Sequence, residues 1–125
     1  IQATSKVRSP MKVLIVDDNE TAGFALGQIL QEQGHRVDYA TSGVEALQKV
    51  IETRPQGVIT DLGLPDMDGY TLARTLRENE NYDGTLIALF PTEKENDVRK
   101  IRSVGFNSYI TKPLEAAQIR YALRA

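Results

Sequence analysis

Short apolar runs rich in β-branched residues alternate with stretches of helical spacing along this chain, five times over, and that alternation leaves few folds open. The runs are Lys12 to Asp17, Arg36 to Ala40, Val58 to Asp61, Thr85 to Phe90 and Asn107 to Thr111. Successive strands joined through a helix run parallel, because the crossover returns the chain to the edge where it started. The pattern therefore predicts an α/β domain whose parallel sheet is covered on both faces. Glu20 to Gln33 places Ala22, Leu26, Ile29, Leu30 and Gln33 on one helical stripe, with Gly34 as its stop. Gly23 and Gly27 inside it each cost roughly 1 kcal/mol against Ala. Ser42 and Glu45 form a capping box that opens a helix with Val44, Leu47, Val50 and Ile51 inward. A helix from Gly69 to Arg77 turns Leu72, Ala73 and Leu76 inward. Thr92 and Glu95 form a second capping box, before a helix with Val98, Ile101 and Val104 inward and Gly105 at its end. Glu115 to Ala125 is the last helix.

Length and charge narrow the function. At 125 residues the chain makes about one domain with a real core. A net charge of −2 and a pI near 5.4 leave no basic footprint for direct nucleic-acid contact. The absence of cysteine excludes disulfides, thiol chemistry and cysteine-ligated zinc, and fits a cytoplasmic location. The one histidine, His35, follows a helix-ending glycine and is expected at the surface rather than in a metal site. No run has the roughly 18 apolar residues of a membrane span, so no membrane contact is expected. Residues 1–10 are polar and end in Pro10, which reads as a linker ahead of a domain over 11–125. Met11 as a native start is the other reading.

The chemistry collects where strands end. In a parallel sheet, ligands bind beyond the carboxyl ends of the strands. That edge receives Asp17 and Asp18 from the first strand, Asp61 from the third and Lys112 just after the fifth. Three gathered carboxylates repel unless a counter-charge intervenes. Mg²⁺, a hard cation that takes one or two carboxylates and keeps several waters, relieves this. Lys112 adds a point charge suited to a phosphoryl oxygen. In the blander alternative, Asp61 starts a loop and Asp17 and Asp18 cap the first helix, an arrangement that explains one aspartate better than two.

The segments VLIVDDNE, DLGLPDMDGY and GFNSYITKP, in this order and spacing, resemble a response-regulator receiver domain from Lys12 to about Leu123. The resemblance implies a flavodoxin-like (βα)5 doubly wound sheet of order 2-1-3-4-5. It implies that Asp61 accepts a phosphoryl group from a histidine kinase or histidine phosphotransfer domain, with Lys112 pairing a phosphoryl oxygen. Asp17, Asp18, Asp61 and the backbone carbonyl of Gly63 would hold Mg²⁺. Pro113 resembles the family's cis proline, and Tyr109 the aromatic that changes rotamer on activation, though an ordinary strand tyrosine is as good a reading. Such a domain has no separate substrate; it assists its own phosphorylation and dephosphorylation. A hybrid sensor histidine kinase is the preferred parent, with a free-standing regulator, or one with its effector removed, as the alternative.

One position departs from the family. Counting back from Lys112, the Thr or Ser that ends the fourth strand is Phe90, followed by Pro91. Phenylalanine can neither bond a phosphoryl group nor make room for the aromatic, and Pro91 stiffens the route by which Thr92 would substitute. The competing function is a degenerate receiver that binds partners without phosphorylation. An aspartate-based hydrolase is disfavoured because position 63 is glycine, and a flavin carrier would not need the acids. Arg99, Lys100, Arg102, Arg120 and Arg124 read as a solvated face, with a docking face as the alternative.

Overall fold

The computed structural model describes residues 10–91, 98–111 and 116–124. Residues 1–9 of the expected linker, the Thr92–Glu95 box, Lys112, Pro113 and the side chain of Arg124 lie outside the described residues. The strands are β1 (Lys12–Val16), β2 (Arg36–Ala40), β3 (Gly57–Asp61), β4 (Thr85–Phe90) and β5 (Ser108–Thr111). The helices are α1 (Glu20–Glu32), α2 (Gly43–Thr53), α3 (Gly69–Glu78), α4 (Val98–Ser103) and α5 (Ala116–Arg124). All strands pair in parallel, in the order β2-β1-β3-β4-β5. No helix among the described residues is long and apolar enough to cross a membrane.

The inner strands β1, β3 and β4 are largely apolar on both sides because each side meets helices, and residues alternate between them. Leu14, Val16, Val58, Leu86, Ala88 and Phe90 join a core with Ala46, Val50, Leu72, Leu76 and Ile101 from α2, α3 and α4. Val13, Ile15, Ile59, Ile87, Leu89 and Ile110 join a second core with Leu26, Leu30, Ile119 and Ala122 from α1 and α5.

Small residues set how closely the helices approach. Gly27 faces Tyr39 of β2, and a Cβ there would lie 2.0 Å from the tyrosine oxygen, so the helix-weakening glycine is a packing requirement. Gly34 and Gly105 take positive φ of 103° and 109° and end α1 and α4, as expected. In α1, Leu26, Leu30 and Gln33 are buried while Ala22 and Ile29 are only half-buried.

The inner face of α2 differs from the expected one. Gly43, Ala46 and Val50 are buried, whereas Val44 and Ile51 are 52% and 50% exposed. Gly43 packs under Met67 and Ala46 lies in the core, and the larger Val44 and Ile51 lie on the outer side. Val98 is 36% exposed rather than inward. His35 is also corrected: it is 6% exposed, and its Nδ1 accepts the Met11 backbone N–H at 2.9 Å. The turn that ends α1 folds it under the start of β1. Lys100, read as part of a solvated face, stands 4.2 Å over the Tyr70 ring.

Candidate functional site

Pairing of β1 with β3 builds the site. Val16 lies opposite Thr60, so Asp17 and Asp61 emerge side by side at the carboxyl edge. Asp17 is buried, and its Oδ1 accepts the Asn19 backbone N–H at 2.9 Å. Asn19, not either aspartate, caps α1, accepting the Ala22 N–H at 3.1 Å. The capping alternative for Asp17 and Asp18 therefore falls, and Asp18 is exposed at the edge. One carboxylate oxygen from each of Asp17, Asp18 and Asp61 can be chosen so that all lie within 4.8 Å of one another. Oxygen-only donors of this charge at this separation fit a hard divalent cation, which replaces their mutual repulsion with attraction.

The loop after β3 is held at several points. The Leu62 N–H donates to Asp61 Oδ1 at 2.9 Å, and the Gly69 N–H closes the loop base on the Leu62 carbonyl at 2.7 Å. Gly63 bridges to Asp68, whose side chain caps α3 through the Thr71 N–H at 2.7 Å. That bond holds the Asp68 carboxyl below the ordinary range. A Cβ on Gly63 would meet nothing within 4 Å, so space is open beside Asp61. Sequence reasoning missed Asn19, Asp66 and Asp68. An Asx residue just before a helix was the available signal for Asn19 and Asp68. No local signal marked Asp66, which bonds residues 22 and 23 positions away.

On the β4–β5 half of the edge, the described residues bring two aromatic rings together. Asp61 lies opposite Leu89, so Phe90 stands one residue beyond it, and Phe90 is 1% exposed. Tyr109 lies diagonally across on β5, 36% exposed, its ring centroid 5.6 Å from that of Phe90 at an interplanar angle of 79°. This is an edge-to-face pair, worth about 1 kcal/mol beyond its buried area. The acid cluster and the aromatic pair are each brought together; Lys112 and Pro113 lie outside the described residues.

A doubly wound parallel sheet with an acid cluster at its carboxyl edge defines the class of protein. Residues 13–124 match the response regulator receiver domain, and the chain belongs to that family. It is 35% identical over 115 residues to the transcriptional regulatory protein PhoP of Escherichia coli K12, covering 92% of this chain and 51% of PhoP. The chain thus spans about half the length of that relative. Among solved structures it resembles the receiver domain of the sensor histidine kinase PA1611 of Pseudomonas aeruginosa, which has a magnesium ion coordinated in its active-site cleft. The TM-score is 0.81 at 27% identity, over 93% of this chain and 96% of that one. It also resembles the receiver domain of the Saccharomyces cerevisiae response regulator Ssk1, crystallised with the phosphotransfer protein Ypd1. There the TM-score is 0.83 at 27% identity, over 94% and 89% of the two chains.

Proposed function

We propose that Asp61 is the phosphoacceptor of this receiver domain, taking a phosphoryl group from the phosphohistidine of a kinase or phosphotransfer protein. The observation that carries this is the convergence of Asp17, Asp18 and Asp61 within 4.8 Å at the strand edge. An Asp61 oxygen attacks phosphorus; the new O–P bond forms as the N–P bond of the donor breaks, and the donor imidazole keeps the electron pair. Asp17, Asp18, Asp61 and the Gly63 carbonyl would hold Mg²⁺, as the cleft of PA1611 holds magnesium. Bound there, Mg²⁺ supplies neutralisation of the charge on the transferring group. The Ssk1–Ypd1 pair supports a phosphotransfer partner of this kind. A kinase fed by ATP implies a cytoplasmic setting. Lys112 would pair with a phosphoryl oxygen, and Pro113 would aim it.

We infer further that the coupling of phosphorylation to Tyr109 is weakened or rewired in this chain. Phe90 fills the core beneath and offers the phosphoryl group no hydroxyl, while its ring holds Tyr109 edge-on. Intact mass after incubation with acetyl phosphate and Mg²⁺ tests the phosphoacceptor. Gain of one base-labile phosphoryl group, lost in Asp61→Asn and on chelation, is expected. No gain with any donor would shift the function to phosphorylation-independent binding.

A further inference from the structure

We infer that Asp66 is a positioning residue for the acid cluster, clasping the loop after β3 onto the first backbone N–H groups of α2; the inference rests on the phosphoacceptor reading above. A helix leaves its first N–H groups without intrahelical partners. At α2 they are shared between a local and a distant residue. Ser42 Oγ takes the Glu45 N–H at 3.1 Å, the ordinary capping bond. The Gly43 and Val44 N–H groups donate to the two oxygens of Asp66, at 2.8 and 2.9 Å.

Packing reinforces this bond pair. Met67 lies against Gly43, where an added Cβ would sit 2.5 Å from the methionine Cγ. The base of the loop is tied by its own residues, through the Gly69–Leu62 bond and the Gly63–Asp68 bridge. Farther along, Leu64 packs on the core, while Asp66 and Met67 reach across to α2. The order β2-β1-β3 gives the clasp its consequence. It joins the loop that follows β3 to the helix that follows β2, and the strand between them delivers Asp17 and Asp18. Asp61 and Gly63 are thereby set against the acids of β1. A carboxylate suits the task because both its oxygens accept. An amide presents one acceptor and turns an NH₂ toward the second donor.

The test compares Asp66→Ala, Asp66→Asn and Ser42→Ala with wild type. Free Mn²⁺ is counted by electron paramagnetic resonance, the acetyl-phosphate rate is followed with Mg²⁺, and Tm is recorded. Ser42→Ala also removes an α2 cap but leaves the loop untouched. The expected result is about ten-fold weaker Mn²⁺ binding and slower phosphorylation in Asp66→Ala, the scale seen when a ligand's supporting bond is lost. Asp66→Asn should fall between, while Ser42→Ala loses Tm and binds Mn²⁺ as wild type does. If Asp66→Ala lowers Tm yet leaves Mn²⁺ binding and rate at wild-type values, Asp66 is only a helix cap and the inference is overturned. Should Asp66→Ala fail to fold, Asp66→Asn decides by the same criterion. Wild type that neither binds Mn²⁺ nor gains a phosphoryl group would overturn the phosphoacceptor reading itself, and the inference with it.

Discussion

The carboxyl edge of the sheet has two halves of opposite character. On the β1–β3 side, three carboxylates gather within 4.8 Å beside an open glycine. On the β4–β5 side, a buried phenylalanine and a tyrosine pack edge to face. The same backbone rule, strand ends meeting at one edge, delivers both. The difference places the acids proposed for phosphoryl chemistry and the aromatic pair proposed for its relay on separate strand pairs, so that each can be altered without the other. The acids meet through the β1–β3 register, whereas Phe90 fills the β4 position where the family resemblance implies a Thr or Ser.

The largest predicted effect falls on the acidic half. Asp61→Asn abolishes phosphoryl gain outright, read by intact mass. Asp18→Asn, which keeps the shape and removes one charge, should weaken Mn²⁺ binding at least about ten-fold. On the aromatic half, Phe90→Thr trades a filled core site for a cavity and a hydroxyl. It should lose about 3 kcal/mol in urea unfolding while leaving phosphorylation by acetyl phosphate in place. A phosphorylation-dependent change in Tyr109, absent from wild type, should appear with it. Loss of phosphorylation in that variant would break the separation.

Two smaller effects lie away from this edge and serve as controls. Gly27→Ala forces Tyr39 from its contact and should cost about 1–2 kcal/mol without altering metal binding. At the opposite edge, burial and then the Arg120 charge hold the His35 pKa below 6.5. Between that lowered value and 6.5 the unfolded chain binds more protons than the folded one, so stability falls as pH drops through this range. His35→Gln should flatten that slope in urea titrations run at about pH 7.5 and about pH 5.5. An unchanged slope would assign the acid sensitivity to other groups.

Much of the acidic half was legible in the sequence. Asp17, Asp18 and Asp61 follow apolar runs, and parallel topology alone sends such residues to one edge. Gly34 and Gly105 marked the helix stops, while the strand order was implied by the family resemblance rather than read from the runs. Side-chain orientation was harder wherever close approach mattered more than size. Val44 and Ile51 carry an apolar pattern but are exposed, because Gly43 and Ala46 form the contact face. His35 was misread because nothing beside it announces the Met11 N–H that it serves. Long-range polar bonds were not legible at all. Arg77 binds the carbonyls of Gly105, Tyr82 and Gly84 and the Asn107 side chain, yet locally it is one more arginine at a helix end. Asp66 belongs with it: its partners become neighbours only when β2 and β3 flank β1.

Separation of chemistry from relay is tested most directly by NMR of ¹⁵N-labelled protein with ¹³C-labelled tyrosine rings, with and without beryllofluoride and Mg²⁺, assigned with Tyr109→Phe. Backbone amides around Asp61 should shift on adding the phosphoryl mimic, while the Tyr109 ring keeps its chemical shifts and its edge contact with Phe90. Movement of the Tyr109 ring into a buried environment in the wild-type chain would contradict the separation.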